Sequence, residues 1–235
     1  MLNSVLQYFS IGTLGNTIEF GNISAIRYDH AATSDGSIGM SLGGFGPSAP
    51  SDPEMDYFNI SHLGNAVDFG DLLAVNAAGT ACSNSTRGIH AGGVPSGSSR
   101  SNIIQYITIA TLGNAQDFGD LTVARRCSNG CSSSTTRGLF YSGSPGPGPH
   151  RNTIDYITIQ TKGNATNFGD MTTFGNVGGA VHGSNLTRSV NHQSGDGNVI
   201  EFVTIATTGN TSDFGDMTNG RAPAGAIDNS NGSME

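Results

Sequence analysis

Short runs of β-branched, aromatic and polar residues recur along the chain and are separated by Gly, Ser and Asn. The run over residues 104–111 is typical, because it is rich in Ile and Thr and carries an aromatic residue near its centre. Such runs favour β-strands. Ile104 and Tyr106 lie on one face of this strand, and Ile107 and Ile109 lie on the other, so both faces are predicted to be covered. The pattern predicts an all-β protein.

A fivefold internal repeat organises these runs. Its marker is the phrase Gly-Asn-x-x-(Asp/Glu/Asn)-Phe-Gly, which begins at Gly15, Gly64, Gly113, Gly163 and Gly209. An aromatic residue stands eight positions before each Asn, at Tyr8, Tyr57, Tyr106, Tyr156 and Phe202. Repeats of about 50 residues indicate an architecture that uses one supersecondary unit several times.

Each repeat is predicted to contain four short strands. The first carries the aromatic residue, Gly-Asn marks a tight turn, and the second strand ends in Phe-Gly. The third strand is assigned to residues 31–33, 80–82, 129–131, 179–181 and 225–227, with Ala or Gly in the middle each time. The fourth is assigned to residues 86–93 and 136–140 and their equivalents. The small middle residues fit a position where backbones crowd around the axis of a ring.

Four short strands per repeat, with glycines at fixed offsets, are typical of a β-propeller blade. The repeat units are 4–52, 53–101, 102–151, 152–197 and 198–235, within a single domain of residues 1–235. The chain begins with the first two strands of a unit and ends with the third and a short successor. The terminal strands, in 4–21 and 217–232, are therefore predicted to pair and close a ring of about five blades, which hides two strand edges. The alternative is an open stack that another copy completes.

Several repeated side chains are predicted to serve the scaffold. The Phe of each phrase is predicted to be buried between blades, at Phe20, Phe69, Phe118, Phe168 and Phe214. The acidic residues around it are interpreted as caps of turns, the alternative being rings of carboxylates for a cation or a sugar. Three arginines at one repeat position are predicted to bridge blades or bind loop carbonyls: Arg87, Arg137 and Arg188.

Composition narrows the classes of function. The chain has 18 acidic and 10 basic residues, a net charge of −8, and Lys162 as its only lysine. Because neutralisation of phosphates dominates nucleic-acid affinity, we expect no nucleic-acid partner. No stretch approaches the roughly 18 apolar residues of a membrane span, and the first residues lack the pattern of a secretory signal. We therefore expect no membrane insertion.

Candidate catalytic groups do not form a motif. The Gly-x-Ser-x-Gly sequence at 39–43 falls on a repeat strand, whereas a nucleophile elbow needs a strand-to-helix turn. The six His residues occupy different repeat positions. Cys82, Cys127 and Cys131 lack the spacing of a zinc site and are interpreted as small core residues. We expect no enzyme activity, no cofactor and no bound metal.

The repeat resembles kelch-like repeats. The glycine pairs at 43–44 and 92–93 carry this likeness, with Phe in place of the kelch Trp. The unit Ile-Asp-Tyr-Ile-Thr-Ile-x-Thr-x-Gly-Asn-Ala-Thr-x-Phe-Gly-Asp is similar to repeats in virion proteins of tailed phages that infect marine cyanobacteria and related bacteria. The likeness extends from residue 4 to about 232. It implies a virion location, a non-enzymatic role in the tail, fibre or capsid surface, and contact with other virion proteins, further copies of the chain and a host surface glycan.

The connectors between repeats differ in length and composition, whereas the strand motifs hardly change. They lie at residues 45–53, 94–102, 144–152 and 194–198, and a partner is predicted to bind there. The first choice is Ser144, Pro145, Pro147 and Pro149, because prolines limit the entropy lost on docking. The alternative function is a free-standing carbohydrate-binding propeller, a lectin. There is no Trp to stack on a sugar, and the aromatic residues without a strand position are Tyr28, Phe45, Tyr141 and Phe174.

Overall fold

A computed structural model describes residues 4–10, 12–47, 52–126, 130–146, 151–172, 181–192 and 197–220. These residues form strands and no helix. The strands are β1 (Val5–Tyr8), β2 (Ile18–Asn22), β3 (Ala31–Ser34), β4 (Ile38–Leu42), β5 (Glu54–Asn59), β6 (Val67–Asp71), β7 (Thr80–Ser83), β8 (Arg87–Ala91), β9 (Ile103–Thr108), β10 (Gln116–Asp120), β11 (Cys131–Ser133), β12 (Arg137–Gly143), β13 (Arg151–Thr158), β14 (Thr166–Asp170), β15 (Val181–Ser184), β16 (Arg188–His192), β17 (Val199–Thr204) and β18 (Ser212–Asp216).

The strands form one two-stranded and four four-stranded antiparallel sheets. We call them blade A (β1–β2), blade B (β3–β6), blade C (β7–β10), blade D (β11–β14) and blade E (β15–β18), with strands in chain order from inner to outer edge. The inner strands of neighbouring blades touch, β3 with β7, β7 with β11, and β11 with β15. This is an all-β, propeller-like arrangement of blades. Each four-stranded blade takes its inner pair from one repeat and its outer pair from the next.

Two inner strands begin later than the sequence predicted. Each inner strand ends on a serine, and the stretch of chain from the Phe of the preceding phrase to this serine is longer in blades D and E than in blades B and C. The additional residues lie before the strand. The predicted strands at residues 129–131 and 179–181 therefore begin too early in the chain. At the position two residues before the serine stand Ala32, Ala81, Cys131 and His182. The prediction of Ala or Gly throughout is therefore wrong for blades D and E. The predicted strand at 225–227 lies outside the described residues.

The serines at the ends of the inner strands connect neighbouring blades. The hydroxyl of Ser83 donates to the carbonyl of Ser34 at 2.6 Å, and the hydroxyl of Ser133 donates to the carbonyl of Ser83 at 2.8 Å. An inner strand has one edge without a partner strand, and its carbonyls need donors from elsewhere. The serine of the next blade supplies one of them.

The Gly-Asn phrase also joins neighbouring blades. From blade D, the amide of Gly163 donates to the carbonyl of Phe118 in blade C, and the amide of Ala165 donates to the carbonyl of Asp120, both at 2.8 Å. Asn164 accepts the amide of Asp120 through Oδ1 at 3.0 Å. The same three bonds join blades A and B, B and C, and D and E. We call this set of bonds the clasp.

The clasp corrects the prediction that Gly-Asn is the tight turn of a hairpin. In blade D the chain reverses earlier, where the amide of Thr161 donates to the carbonyl of Thr158 at 3.0 Å. The clasp also explains the Gly that follows each Phe. A Cβ atom added to Gly119 would lie 2.4 Å from the carbonyl oxygen of Gly163, which leaves no space for a side chain.

We expect Gly119→Ala to destabilise the protein by about 1–3 kcal/mol more than Gly163→Ala, because overpacking against backbone costs that much. Gly163 is a matched control, since its φ of 152° is close to the 149° of Gly119 and its Cβ direction is empty. Urea denaturation of both variants measures the difference. Equal losses would show that backbone strain alone, and not the clasp, requires glycine.

Four of the five repeated Phe residues are buried between blades. Their exposed fractions are 8%, 3%, 2% and 2% for Phe20, Phe69, Phe118 and Phe168. Phe118 meets the ring of Tyr106 edge to face, with centroids 6.1 Å apart, in a core that includes Phe140 and Ile157 of blade D. Phe214 is 53% exposed, so the prediction of burial is wrong for this residue in the structure. It lies on β18, beside which no further blade is described.

The residue before the aromatic is polar and buried in the four-stranded blades. It is Asp56, Gln105, Asp155 or Glu201, each at most 2% exposed. Asp155 accepts the hydroxyl of Thr122 at 2.7 Å, and its second oxygen lies 2.9 Å from Arg125 in an ion pair with no solvent exposure. Asp56 also forms an ion pair with Arg27 without solvent exposure, and the same carboxylate oxygen accepts the hydroxyl of Ser24 at 2.8 Å. In blade C, Asn76 takes the arginine position and Gln105 takes the carboxylate position, so neutral groups replace charged ones. Asn76 donates to the carbonyl of Gly92 at 2.7 Å, and Gln105 accepts the amide of Leu73 at 2.7 Å.

Candidate functional site

The predicted binding loops lie at one end of the blades. Within a blade, the connector between the second and third strands pairs with the crossover segment that enters that blade. Single antiparallel bridges join them at Tyr28 and Phe45, at Ala77 and Val94, and at Arg126 and Ser144. We call this end, with the described parts of connectors 43–53, 92–102 and 142–150 and of crossovers 23–30, 72–79 and 121–130, the connector face.

Backbone hydrogen bonds hold the stem of each connector from two sides. In blade D the amide of Arg126 donates to the carbonyl of Ser144 at 2.9 Å, and the reverse bond measures 3.2 Å. Between blades, the amide of Gly93 donates to the carbonyl of Arg125 at 2.9 Å. Beyond the stems, a Cβ atom added to Gly97 or Gly146 would meet open space. The connectors therefore combine fixed stems with accessible tips.

The predicted partner-binding residues fall partly within this description. Ser144 and Pro145 are half-buried, and Ser144 is fixed by its bonds to Arg126. Pro147 and Pro149 lie outside the described residues. The sequence could not indicate that the connector begins with a backbone pairing, because the pairing partner belongs to a crossover that precedes the two inner strands of the blade.

An aromatic pair on the connector face was not predicted as a pair. The rings of Tyr28 and Phe45 lie 5.4 Å apart at an angle of 35°, and Tyr28 is 43% exposed. Tyr141 is buried instead and stacks on His182, with centroids 4.1 Å apart. Burial raises the pKa of the Tyr141 hydroxyl. Phe174 lies outside the described residues.

Three crossovers meet at Asp29. The guanidinium of Arg126 lies 2.9 Å from its carboxylate, and the amide of Ala78 donates to its carbonyl at 2.8 Å. Asp29 and Ala78 both have left-handed backbones, with φ of 53° and 52°, a strained conformation for residues other than glycine. The ion pair is partly exposed and is worth about 0–1 kcal/mol, so its main effect is to position the crossovers.

The described residues contain no group of three or more His, Cys, Asp or Glu side chains that could hold a metal ion. Cys82 is buried and Cys131 is half-buried, both are free thiols, and both belong to the core between blades C and D. Cys127 lies outside the described residues. No helix that could cross a membrane occurs in the described part of the chain.

Buried His90 makes the stability of blade C dependent on pH. Its Nδ1 lies 3.3 Å from the amide nitrogen of Gln105, and burial lowers the pKa of His90 from 6.5 to about 4. Between these values the unfolded chain binds a proton that the folded protein does not, so stability falls as pH drops from 6.5 towards 4. The full difference is about 3 kcal/mol.

We expect His90→Gln to remove this part of the pH dependence, because Gln can still bond to Gln105 and does not titrate. Urea denaturation at pH 7 and pH 4.5 measures the loss for both proteins, and the variant should lose less. Equal losses in the two proteins would contradict the assignment to His90.

Comparisons with known proteins bear on the fold. No family model and no curated protein sequence matches the chain. The solved structure of YjhT superposes with a TM-score of 0.70 and 9% sequence identity, over 89% of this chain and 77% of that chain. A likeness at this identity shows a shared fold and no shared activity. The chain therefore shares its fold with YjhT.

Proposed function

We propose that the protein is a non-enzymatic structural component of a phage virion, in the tail, the fibre or the capsid surface. The connector face is the observation that supports this role most directly. Its connectors have tips that differ in sequence, and hydrogen bonds to the blades hold their stems in place. Binding residues concentrate on loops of this kind. The resemblance of the repeat to those of phage virion proteins supplies the virion setting, with other virion proteins, copies of this chain and a host surface glycan as partners.

We also propose that the ring has five blades and closes within the chain by pairing of the N- and C-terminal strands. Four clasps join consecutive blades. Between blade E and blade A, each blade carries one half of a further clasp, which we call a half-clasp. Blade E presents the acceptor strand with Phe214 and Asp216, and blade A presents the donor Gly15-Asn16. The two halves are complementary in sequence, which supports closure.

Replacing residues 144–149 by a Gly/Ser segment of equal length tests the virion role. Particles assembled with this variant should incorporate less of the protein or attach less well to cells. The same replacement at residues 110–112, at the opposite end of the blades, is the matched control and should change neither property. Unchanged incorporation and attachment, together with their loss on a strand-face substitution, would place the interface on the blades instead.

The exposed ring of Tyr28 beside Phe45 favours a second candidate function, a free-standing lectin that stacks a sugar on this pair. A glycan array distinguishes the two functions. Binding to the array that Tyr28→Ala abolishes would support the lectin. Particles that require the protein, although the protein binds no glycan on the array, would support the virion role.

A further inference from the structure

A hollow of about 260 Å³ opens in blade D, where β13 reverses into β14. This reversal joins the third and fourth strands, so it lies at the end of the blade opposite the connector face. The hollow is slightly smaller than the roughly 300–1,000 Å³ of sites for drug-sized ligands, which suits a single sugar ring. The residues that line it and whose side chains can form hydrogen bonds are Tyr156, Thr158, Thr161, Lys162, Asn164 and Thr166.

Comparison with blade C explains why the hollow is open. In blade C the hydroxyl of Tyr106 donates to Gln116 at 2.6 Å, and Tyr106 is 9% exposed. The repeat places Thr166 where Gln116 stands, opposite Tyr156. The threonine side chain is shorter and leaves the space that a glutamine would fill. Tyr156 is accordingly half-buried.

The charge around the hollow is positive, although the chain as a whole carries −8. Lys162, the only lysine of the chain, lines the hollow, and its ammonium lies 5.3 Å from the centroid of the Tyr106 ring of blade C. None of the described residues that line the hollow is Asp or Glu. The guanidinium of Arg137 lies 4.7 Å from the centroid of the Tyr156 ring. An anionic group would therefore be favoured here.

We propose that this hollow binds one sugar unit that carries an anionic group. The three threonine hydroxyls and the Nδ2 of Asn164, whose Oδ1 is held in the clasp, match the hydroxyl groups of a sugar ring. Lys162 matches a carboxylate or a sulfate. This site is separate from the connector face, and the inference holds whether or not the protein belongs to a virion.

Titration of the purified full chain with galacturonic acid, galactose and inorganic sulfate, followed by NMR shifts, tests the proposal. Galacturonic acid should bind more tightly than galactose. Thr166→Gln copies the arrangement of blade C and should weaken galacturonic acid binding at least tenfold. Lys162→Thr should weaken it about tenfold and remove the preference for the acid, because hydrogen bonds to charged groups are worth that much. Leu112→Thr, at the same turn position of blade C, is the matched control.

The proposal is supported if both blade D variants lose binding, Leu112→Thr retains it, and all three variants melt as the parent protein does. Equal affinity for galacturonic acid and galactose would overturn it, as would binding that survives Thr166→Gln. Sulfate that competes as well as galacturonic acid would show a simple anion site without sugar recognition. The absence of any shift would overturn the proposal as well.

Discussion

Asp155→Asn should destabilise the protein by about 3–5 kcal/mol, because it leaves the buried guanidinium of Arg125 without its counter-charge. The two groups are 2.9 Å apart and have no solvent exposure. A charge in such a place is tolerated only while it is paired. Urea denaturation at pH 7 measures the loss.

The chain itself supplies the compensating variant. Blade C has Asn76 and Gln105 at the positions of Arg125 and Asp155, and it folds without a buried charge there. The double variant Arg125→Asn/Asp155→Gln should therefore be more stable than Asp155→Asn alone. A double variant that is less stable than the single one would mean that the neutral residues depend on the other side chains of blade C.

The exposed pair of Asp29 and Arg126 serves as the control for burial. Its separation is also 2.9 Å, but the two side chains are 42% and 30% exposed. Asp29→Asn should change stability by less than about 1 kcal/mol, since water screens the pair. A large loss at this position would show that the meeting of the crossovers, rather than burial, determines the cost.

The strands could be predicted from the sequence because their signal is local. Alternating apolar residues and fixed glycine offsets define four strands per repeat, and the structure confirms this arrangement in blades B to E. The prediction that the repeated arginine bridges blades is confirmed for Arg87, which donates to the carbonyl of Ile159 at 3.0 Å, and for Arg137, which donates to that of Ile205 at 3.1 Å.

The role of Gly-Asn could not be predicted, because its contacts are not local. The dipeptide is a common turn sequence, and only the position of the neighbouring blade shows that its hydrogen bonds lead there. The contacts of the connector face could not be predicted for the same reason. Tyr28 and Phe45 are separated by two whole strands, and Asp29 and Arg126 belong to different repeats, so no periodicity or motif connects them.

Phe118→Ala should cost about 3–5 kcal/mol, the usual loss for truncating a buried aromatic side chain. The ring is 2% exposed and fills the core between blades C and D. A loss under about 1 kcal/mol would mean that the ring is not packed as described and that the strand register differs.

Phe214→Ala then reports on closure of the ring. With Phe214 53% exposed beside an unfilled half-clasp, its truncation would cost less than about 1 kcal/mol. If Gly15-Asn16 clasps β18, Phe214 becomes equivalent to Phe118, and we expect a loss of about 3–5 kcal/mol. Closure within the chain makes this loss independent of protein concentration, because both halves belong to one molecule. A loss that grows with concentration would show that a second copy supplies the Gly-Asn phrase. A small loss at every concentration would show that the ring stays open at blade E.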